Sequence, residues 1–522
     1  MQYGIFNKIS RLIKNNSVII LLLIGISVRI FLFGSVPPGL NQDEASTGYD
    51  AYSILNYGMD RNGFHNPIHL VAWGSGQSAL YAYFAMPFIS IFGLTVTAIR
   101  AVNLLFGIIS IFIFYFTVKR VSNGQISILS LFLLAISPWH IMLSRWALDA
   151  NLFPSIFLIA FFLLVLSFDH RRILPVSLFF FALSFYAYAT SFFIVPVFLL
   201  ITFSYLLYHK KVSFKILGTA MPIFIITALP IFLFIVINHF KMNSVDAVLF
   251  SIPKLTGPTR FSTSSSLFSS DFLVTSYNNF IDLIKIIYTQ SDGLIWNSIP
   301  EYGIVYLFSL PFLIMGLVKL VSENVFSRSF QKSFVFLAWI IVSFLSGILM
   351  HPNINRINIL FIPLVYLTAA GIYCVLKINR FFIVPIIILY LVAFSMFSFN
   401  YFTIYPEKTE QNFYGSFGEA INYASQNPDA RIYVTNKVNM PYVYVLFYQK
   451  IDPDIFRDSV KYYNPGSEFQ LVKSFGRYYF GIKDINISEN SVYVLHNSEE
   501  DMFDKNSFDI KKFKYYSVAN RK

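Results

Sequence analysis

The chain has 522 residues, of which 56% are hydrophobic, 19% aromatic and only 13% charged, with a mean hydropathy of +0.60. So little charge excludes a soluble globular protein and describes a polytopic α-helical membrane protein. The net charge of +12 is spread over short basic clusters between apolar runs, which is the pattern of membrane topology and not of a nucleic-acid-binding patch. The one cysteine, Cys374, lies inside an apolar run, so neither a disulfide framework nor a cysteine metal site is available.

Taken in chain order, the apolar runs give about eleven spans by the roughly 20-residue criterion. They lie near 17–36, 97–118, 124–143, 151–168, 173–189, 191–208, 215–239, 303–321, 333–350, 357–376 and 381–400. The first runs into VPPGL with no small-residue cleavage site and reads as a retained anchor, not a signal peptide. A cytoplasmic N-terminus puts Lys8, Arg11, Lys14, Lys119, Arg120, Arg171, Arg172, Lys210, Lys211, Lys215, Arg328, Lys332, Lys377 and Arg380 on one side, as the positive-inside bias requires. The long hydrophilic segments are then all external: a first loop over 37–96, a middle loop over 240–302 and the C-terminal region 401–522.

Within the first loop, SALYAYFAMPFISIFGL over 78–94 is too short to span and reads as a helix lying in the interface. The Ser-rich STSSSLFSS near 262–270 reads as a mobile loop. The C-terminal region alternates a helical pattern, EAINYASQN, with strand-like RIYVT and VYVLH, which predicts a small α/β domain. The expected division is therefore a transmembrane domain, 1–400, and an external α/β domain, 401–522.

The first external loop carries GLNQDEASTGYDAYSIL, with a carboxylate pair at Asp43 and Glu44. Acids at the membrane surface can serve as a base toward a lipid-linked substrate. The competing reading is a solvated loop in which Asp43 caps the helix that AYSIL begins.

Beyond this pair, three stretches carry a resemblance: WGSGQSALYAYFAMPFISIFGL followed by AIRAVNLLFGI, then SPWHIMLSRWALDANLFPS, and late in the chain HPNINRINILFIPLVYLTAAG. With NQDEASTGYDAYSIL they resemble the GT-C membrane glycosyltransferases that use polyprenyl-phosphate sugars, and within them glycosyltransferase family 39, the protein O-mannosyltransferase and aminoarabinose transferase branch. The resemblance covers roughly residues 15–380. It implies a GT-C fold, inversion at the anomeric carbon, and a base at the Asp of the pair, here Asp43, with Glu44 orienting the acceptor or tuning its neighbour. Tyr49 and Tyr52 fall in the tyrosine-rich helix after the pair, and Asp149 and Asn151 in the Asp-Asn pattern. Around Arg356 the sequence departs from the family, with Asn and Ile in place of an Arg-Tyr pair.

The leaving group of such a transfer is a polyprenyl phosphate, whose charge is met by guanidinium forks. Arg145, Arg356 and Arg100 stand at outer ends of spans and are the candidates, each with a second reading as an interfacial anchor. Asp149 follows Arg145 by four residues, so on one helix the two share a face and pair. Asp292 and Trp296 lie above a span with Asn297, Glu301 and Tyr302, a composition suited to sugar recognition and equally to an aromatic belt. His65 and His69 are four apart with Pro67 between them, so ligand spacing supports no metal site, although related branches differ in metal use. The sequence fixes no cofactor and leaves a divalent metal open, without support from ligand spacing.

The richness in Lys, Asn, Ile and Phe points to an AT-rich bacterial genome, and the carrier would then be undecaprenyl phosphate. The expected function is transfer of a sugar from that carrier to a hydroxyl of a protein, lipid or polysaccharide at the outer face of the plasma membrane. The chain shows no Gly-rich nucleotide loop, in keeping with a lipid-carried donor. The rivals are a flippase for lipid-linked saccharides, which calls for ionisable residues within spans and repeated halves; an inactive scaffold; and an oligosaccharide polymerase or ligase.

Overall fold

The computed structural model describes residues 2–259, 263, 265–482 and 490–522, with side chains from residue 16 onward except at 268. The side chains of Lys8, Arg11 and Lys14, and part of the Ser-rich stretch, lie outside the described residues. Among the described residues, seven helices are long and apolar enough to cross a membrane: Val96–Val121, Asp149–Ser167, Ser191–Tyr208, Phe214–His239, Leu307–Val325, Ile354–Ile378 and Arg380–Glu410. The other four predicted spans are shorter as helices. They are Asn16–Ile30 within the longer Gln2–Ile30 helix, Gly124–Ile136, Leu174–Leu183 and Phe334–Leu349.

A proline explains one of these shortfalls. The run 124–143 breaks at Ser137, whose hydroxyl accepts from the His140 N–H, and a new helix, Pro138–Leu143, opens with Pro138 in its first turn. Proline fits that turn because it has no N–H to satisfy there.

The chain divides into two compact units. The first comprises residues 1–33, 103–229 and 264–401 and is helical. Its core is aromatic: Phe157, Phe161, Phe336 and Trp339 meet at ring separations of 4.7–6.1 Å, and the Trp339 indole donates to the Ile359 carbonyl. The helices Leu310–Val325 and Phe361–Ile378 approach through glycine on both sides. A Cβ on Gly316 would stand 1.8 Å from the Leu367 carbonyl oxygen, and one on Gly371 1.8 Å from that of Phe312. Small residues permit such contact where lipid supplies no hydrophobic drive between helices. At one end, Asp169 meets both Arg120 and Lys332, two of the basic residues the sequence puts on a common side. Inside the predicted middle loop the structure has an 18-residue helix, Phe272–Thr289. Its buried Asn279, Leu283 and Ile286 recur at helical spacing, a periodicity that the polar neighbours Asn278 and Asp282 disguise.

The second unit comprises residues 34–102, 230–263 and 402–522. The C-terminal region therefore does not pack alone, as a division at 400 implies; the first loop and part of the middle loop belong to its unit. The predicted helix and both predicted strands appear as Phe417–Ala424, Arg431–Val434 and Ser491–His496. Among the described residues, seven strands form one mixed sheet in the order Phe508–Lys512, Tyr516–Arg521, Ser491–His496, Arg431–Val434, Tyr478–Phe480, Val472–Phe475 and Lys461–Tyr462. Arg431–Val434 runs parallel to both its neighbours and the other pairs are antiparallel. Leu80–Phe92, the predicted interfacial segment, is a 13-residue helix. The helix that bears the carboxylate pair, Gln42–Tyr57, is buried over most of its length and ends at Gly58 in the left-handed conformation, φ 71°. Glycine takes that backbone without a Cβ penalty.

Candidate active site

In the second unit, the Gln42–Tyr57 helix opens with a capping box. The Asn41 side chain accepts from the Asp43 N–H at 3.0 Å, and the Glu44 carboxylate accepts from the Asn41 N–H at 3.0 Å. Asn41, not Asp43, is thus the cap, and the helix starts at Gln42, well before the AYSIL run at residue 51. The N-x-x-E spacing is a legible signal for this arrangement.

Glu44 is fully buried and bound to Arg100. Arg100 Nε meets Oε1 and Nη2 meets Oε2, each at 2.7 Å. Arg100 also donates to the carbonyls of Pro37 at 2.6 Å and Gly39 at 3.0 Å. A guanidinium so occupied ties the 34–41 segment to the helix start and has little left for a phosphate. Asp43, beside this clamp, is half-buried. Tyr49 is buried and donates to the Ile451 carbonyl at 2.6 Å, while Tyr52 is half-buried with its ring 6.5 Å from that of Tyr49.

Further along the same helix, Asp50 holds Arg61 through both oxygens, at 2.9 and 2.7 Å, and Arg61 also donates to Ser46. Asp60, next in chain to Arg61, is fully buried; its Oδ1 accepts from the Asn62 and Phe64 N–H groups. Burial, and then the charge of Asp50, push its carboxyl up to about 7. The sequence reading passed over this cluster, and only the unusual density of charge in YDAYSILNYGMDR marks it.

In the first unit, Arg145 is buried and its guanidinium faces the end of the Gln2–Ile30 helix. It donates to the carbonyls of Arg29 at 2.7 Å, Leu32 at 2.9 Å and Val28 at 3.3 Å. These are carbonyls that the helix end leaves without an intrahelical partner, and a cation there also meets the helix dipole. Arg29 does the same for the Gly124–Ile136 helix, donating to the Leu134 and Ala135 carbonyls, both at 3.0 Å, and contacting His140 Nδ1 at 2.7 Å. Arg29 was not singled out from sequence.

The chain leaves helix after Leu143 and re-enters at Asp149, so Arg145 and Asp149 do not share a helix face as predicted. Asp149 Oδ1 accepts from the Ala150 N–H at the start of its own helix, and Asn151 Nδ2 reaches the Leu143 carbonyl at 3.4 Å.

Asp292 is also engaged with protein. Its Oδ1 accepts from the Leu294 N–H at 3.0 Å, and its Oδ2 from Asn297 Nδ2 at 2.7 Å and the Ile354 N–H at 2.9 Å. Trp296 is half-buried. Arg356 lies on the short helix Ile354–Ile357, half-buried, with Nη1 donating to the His351 carbonyl at 2.9 Å. Among the described residues no group of three or more His, Cys, Asp or Glu side chains could hold a metal ion.

A family model described as dolichyl-phosphate-mannose-protein mannosyltransferase matches residues 77–239. ArnT from Cupriavidus metallidurans superimposes over nearly the whole chain. In the apo state the TM-score is 0.56 at 10% identity, covering 97% of this chain and 98% of that one. In the structure described as bound to undecaprenyl phosphate it is 0.57 at 11% identity, covering 96% and 97%. The chain has the GT-C fold. The oligosaccharyltransferase of Archaeoglobus fulgidus is similar at a TM-score of 0.51 and 13% identity, over 83% of this chain and 63% of that one. No curated protein matches.

The family match takes in Arg100, Arg145, Asp149 and Asn151 but not Asp43, Glu44, Asp292, Trp296 or Arg356. What distinguishes the arginines is their surroundings. Arg100 and Arg145 are fully buried and bound to main-chain carbonyls and, for Arg100, to a carboxylate; Arg356 is half-buried.

Proposed function

We propose that this chain is an inverting glycosyltransferase that moves a sugar from a polyprenyl-phosphate donor, undecaprenyl phosphate in a bacterium, to a hydroxyl acceptor at the outer face of the plasma membrane. The observation that carries the reading is the asymmetry of the carboxylate pair. Glu44 is fully buried, with its oxygens bound to Arg100 and the Asn41 N–H, whereas Asp43 is half-buried and so is the member of the pair that reaches the surface.

In this mechanism the Asp43 carboxylate takes the proton of the acceptor hydroxyl as that oxygen bonds to the anomeric carbon. The bond from the anomeric carbon to the phosphate oxygen breaks on the opposite side, its electron pair leaves with the polyprenyl phosphate, and the configuration inverts. Arg356 is the guanidinium we assign to the departing phosphate. Glu44 and Arg100 act as positioning residues that fix the start of the Asp43 helix. Tyr52 and Trp296, both half-buried, supply aromatic surface for sugar rings.

The test follows label from a panel of radiolabelled undecaprenyl-phosphate sugars in membranes containing wild type or Asp43→Asn at matched protein levels. Transfer by wild type that drops at least about 100-fold in the variant supports the assignment. Equal transfer by both removes Asp43 from the chemistry, and no transfer from any donor favours a flippase or scaffold.

A further inference from the structure

The turn that carries Arg356 is held at its start by a carboxylate from a distant part of the chain: Asp292 Oδ2 accepts from the Ile354 N–H. Ile354–Ile357 is the opening turn of the helix that runs on to Ile378, and its first N–H groups have no intrahelical acceptor. Its N-terminal N–H groups are satisfied from outside: Asn353 Oδ1 accepts from the Arg356 N–H at 2.9 Å, and Asp292 Oδ2 accepts from the Ile354 N–H at 2.9 Å. Asp292 is 62 residues away in the chain, and its remaining bonds to Leu294 and Asn297 anchor it within the 291–298 loop. On the far side of the turn, Asn358 Nδ2 donates to the Ala150 carbonyl at 2.7 Å.

We infer that Asp292 is a positioning residue for Arg356: the carboxylate fixes the 354–357 turn, and so the direction in which the Arg356 guanidinium meets the phosphate of the lipid carrier. This rests on the assignment of Arg356 to the donor phosphate. The physical argument is one of strength and rigidity. A charged acceptor on a main-chain N–H forms a stronger bond than a neutral one, and a long arginine side chain delivers a fork to a phosphate only if its backbone is held. The Asp292 carboxylate, turned into the protein by three donors, is not itself available to a sugar hydroxyl.

The experiment measures binding of undecaprenyl phosphate to the full-length purified protein in nanodiscs, for wild type, Asp292→Ala, Asp292→Asn, Arg356→Ala and the double variant Asp292→Ala/Arg356→Ala, alongside thermal melting. We expect Asp292→Ala and Arg356→Ala each to weaken binding about tenfold, the double variant to lose no more than the larger single loss, and Asp292→Asn, which keeps an oxygen for the Ile354 N–H but not the charge, to fall between Asp292→Ala and wild type. Should Asp292→Ala fail to fold, Ile354→Pro removes the same bond from the donor side at a helix start where proline is accepted, and the same tenfold loss is expected. If Arg356→Ala weakens binding while Asp292→Ala does not, or if the two losses multiply in the double variant, the positioning role is overturned and the Arg356 assignment stands. If Arg356→Ala leaves binding unchanged, both are overturned.

Discussion

Arg100 holds Glu44 through two hydrogen bonds of 2.7 Å, with both side chains fully buried. A pair of this kind is costly to break from one side, because the remaining charge keeps its desolvation penalty and loses its partner. Glu44→Gln is therefore expected to destabilise the protein by about 3–5 kcal/mol, and Arg100→Lys, which cannot reproduce the fork, to do so in the same direction. Thermal melting of the detergent-solubilised protein reads both. If Glu44 were chiefly a chemical group, Glu44→Gln would instead lower transfer with an unchanged melting temperature.

Arg145 offers a separate test. Its donors meet carbonyls at the end of the Gln2–Ile30 helix, so Arg145→Lys is expected to cost roughly 2 kcal/mol of stability. The fraction that remains folded should bind undecaprenyl phosphate as wild type does. A large loss of binding with melting unchanged would return Arg145 to the phosphate.

Asp60 predicts a pH dependence. Its carboxyl is raised to about 7 by burial and then by the charge of Asp50, so between about pH 4 and 7 the folded state holds a proton that the unfolded chain releases. Stability contributed by this group is thus full at acid pH and is lost as pH rises toward 7. Asp60→Asn keeps an oxygen for the Asn62 and Phe64 N–H groups and removes the titration. Melting temperature followed from pH 4 to 8 should fall more for wild type than for Asp60→Asn, and parallel curves would refute the account.

The contact between the helices Leu310–Val325 and Phe361–Ile378 depends on two glycines. A methyl group at Gly316 or Gly371 would collide with a main-chain oxygen, which no rotamer change relieves. Gly371→Ala and Gly316→Ala are each expected to destabilise by about 1–3 kcal/mol. Because they lie at one interface, the double variant should lose less than the sum of the two. Melting curves of the three variants check both points.

Much of the fold was legible. Runs such as 191–208 and 215–239 are apolar throughout, and they became the helices Ser191–Tyr208 and Phe214–His239 because span length is set by bilayer thickness and read residue by residue. The C-terminal strands were visible for the same local reason, in the period-two pattern of RIYVT and VYVLH. Where the reading failed, the cause was also local: Ser137 and Pro138 split one predicted span, and polar residues masked the helix Phe272–Thr289.

The candidate site was legible only as a set of residue types. Sequence placed Asp43 beside Glu44, and Arg100, Arg145 and Arg356 at span ends, but gave all three arginines the same two readings. Their separation is a matter of partners far away in the chain: Glu44 lies 56 residues from Arg100, the Arg29 carbonyl 116 from Arg145, and Asp292 62 from the Ile354 N–H. By itself the sequence determined a helical membrane protein of GT-C type, because hydrophobicity and its periodicity act through neighbours in the chain. Only the tertiary structure decided which charges are consumed in holding the protein together, because burying a charge demands a partner and the fold alone brings that partner within 3 Å.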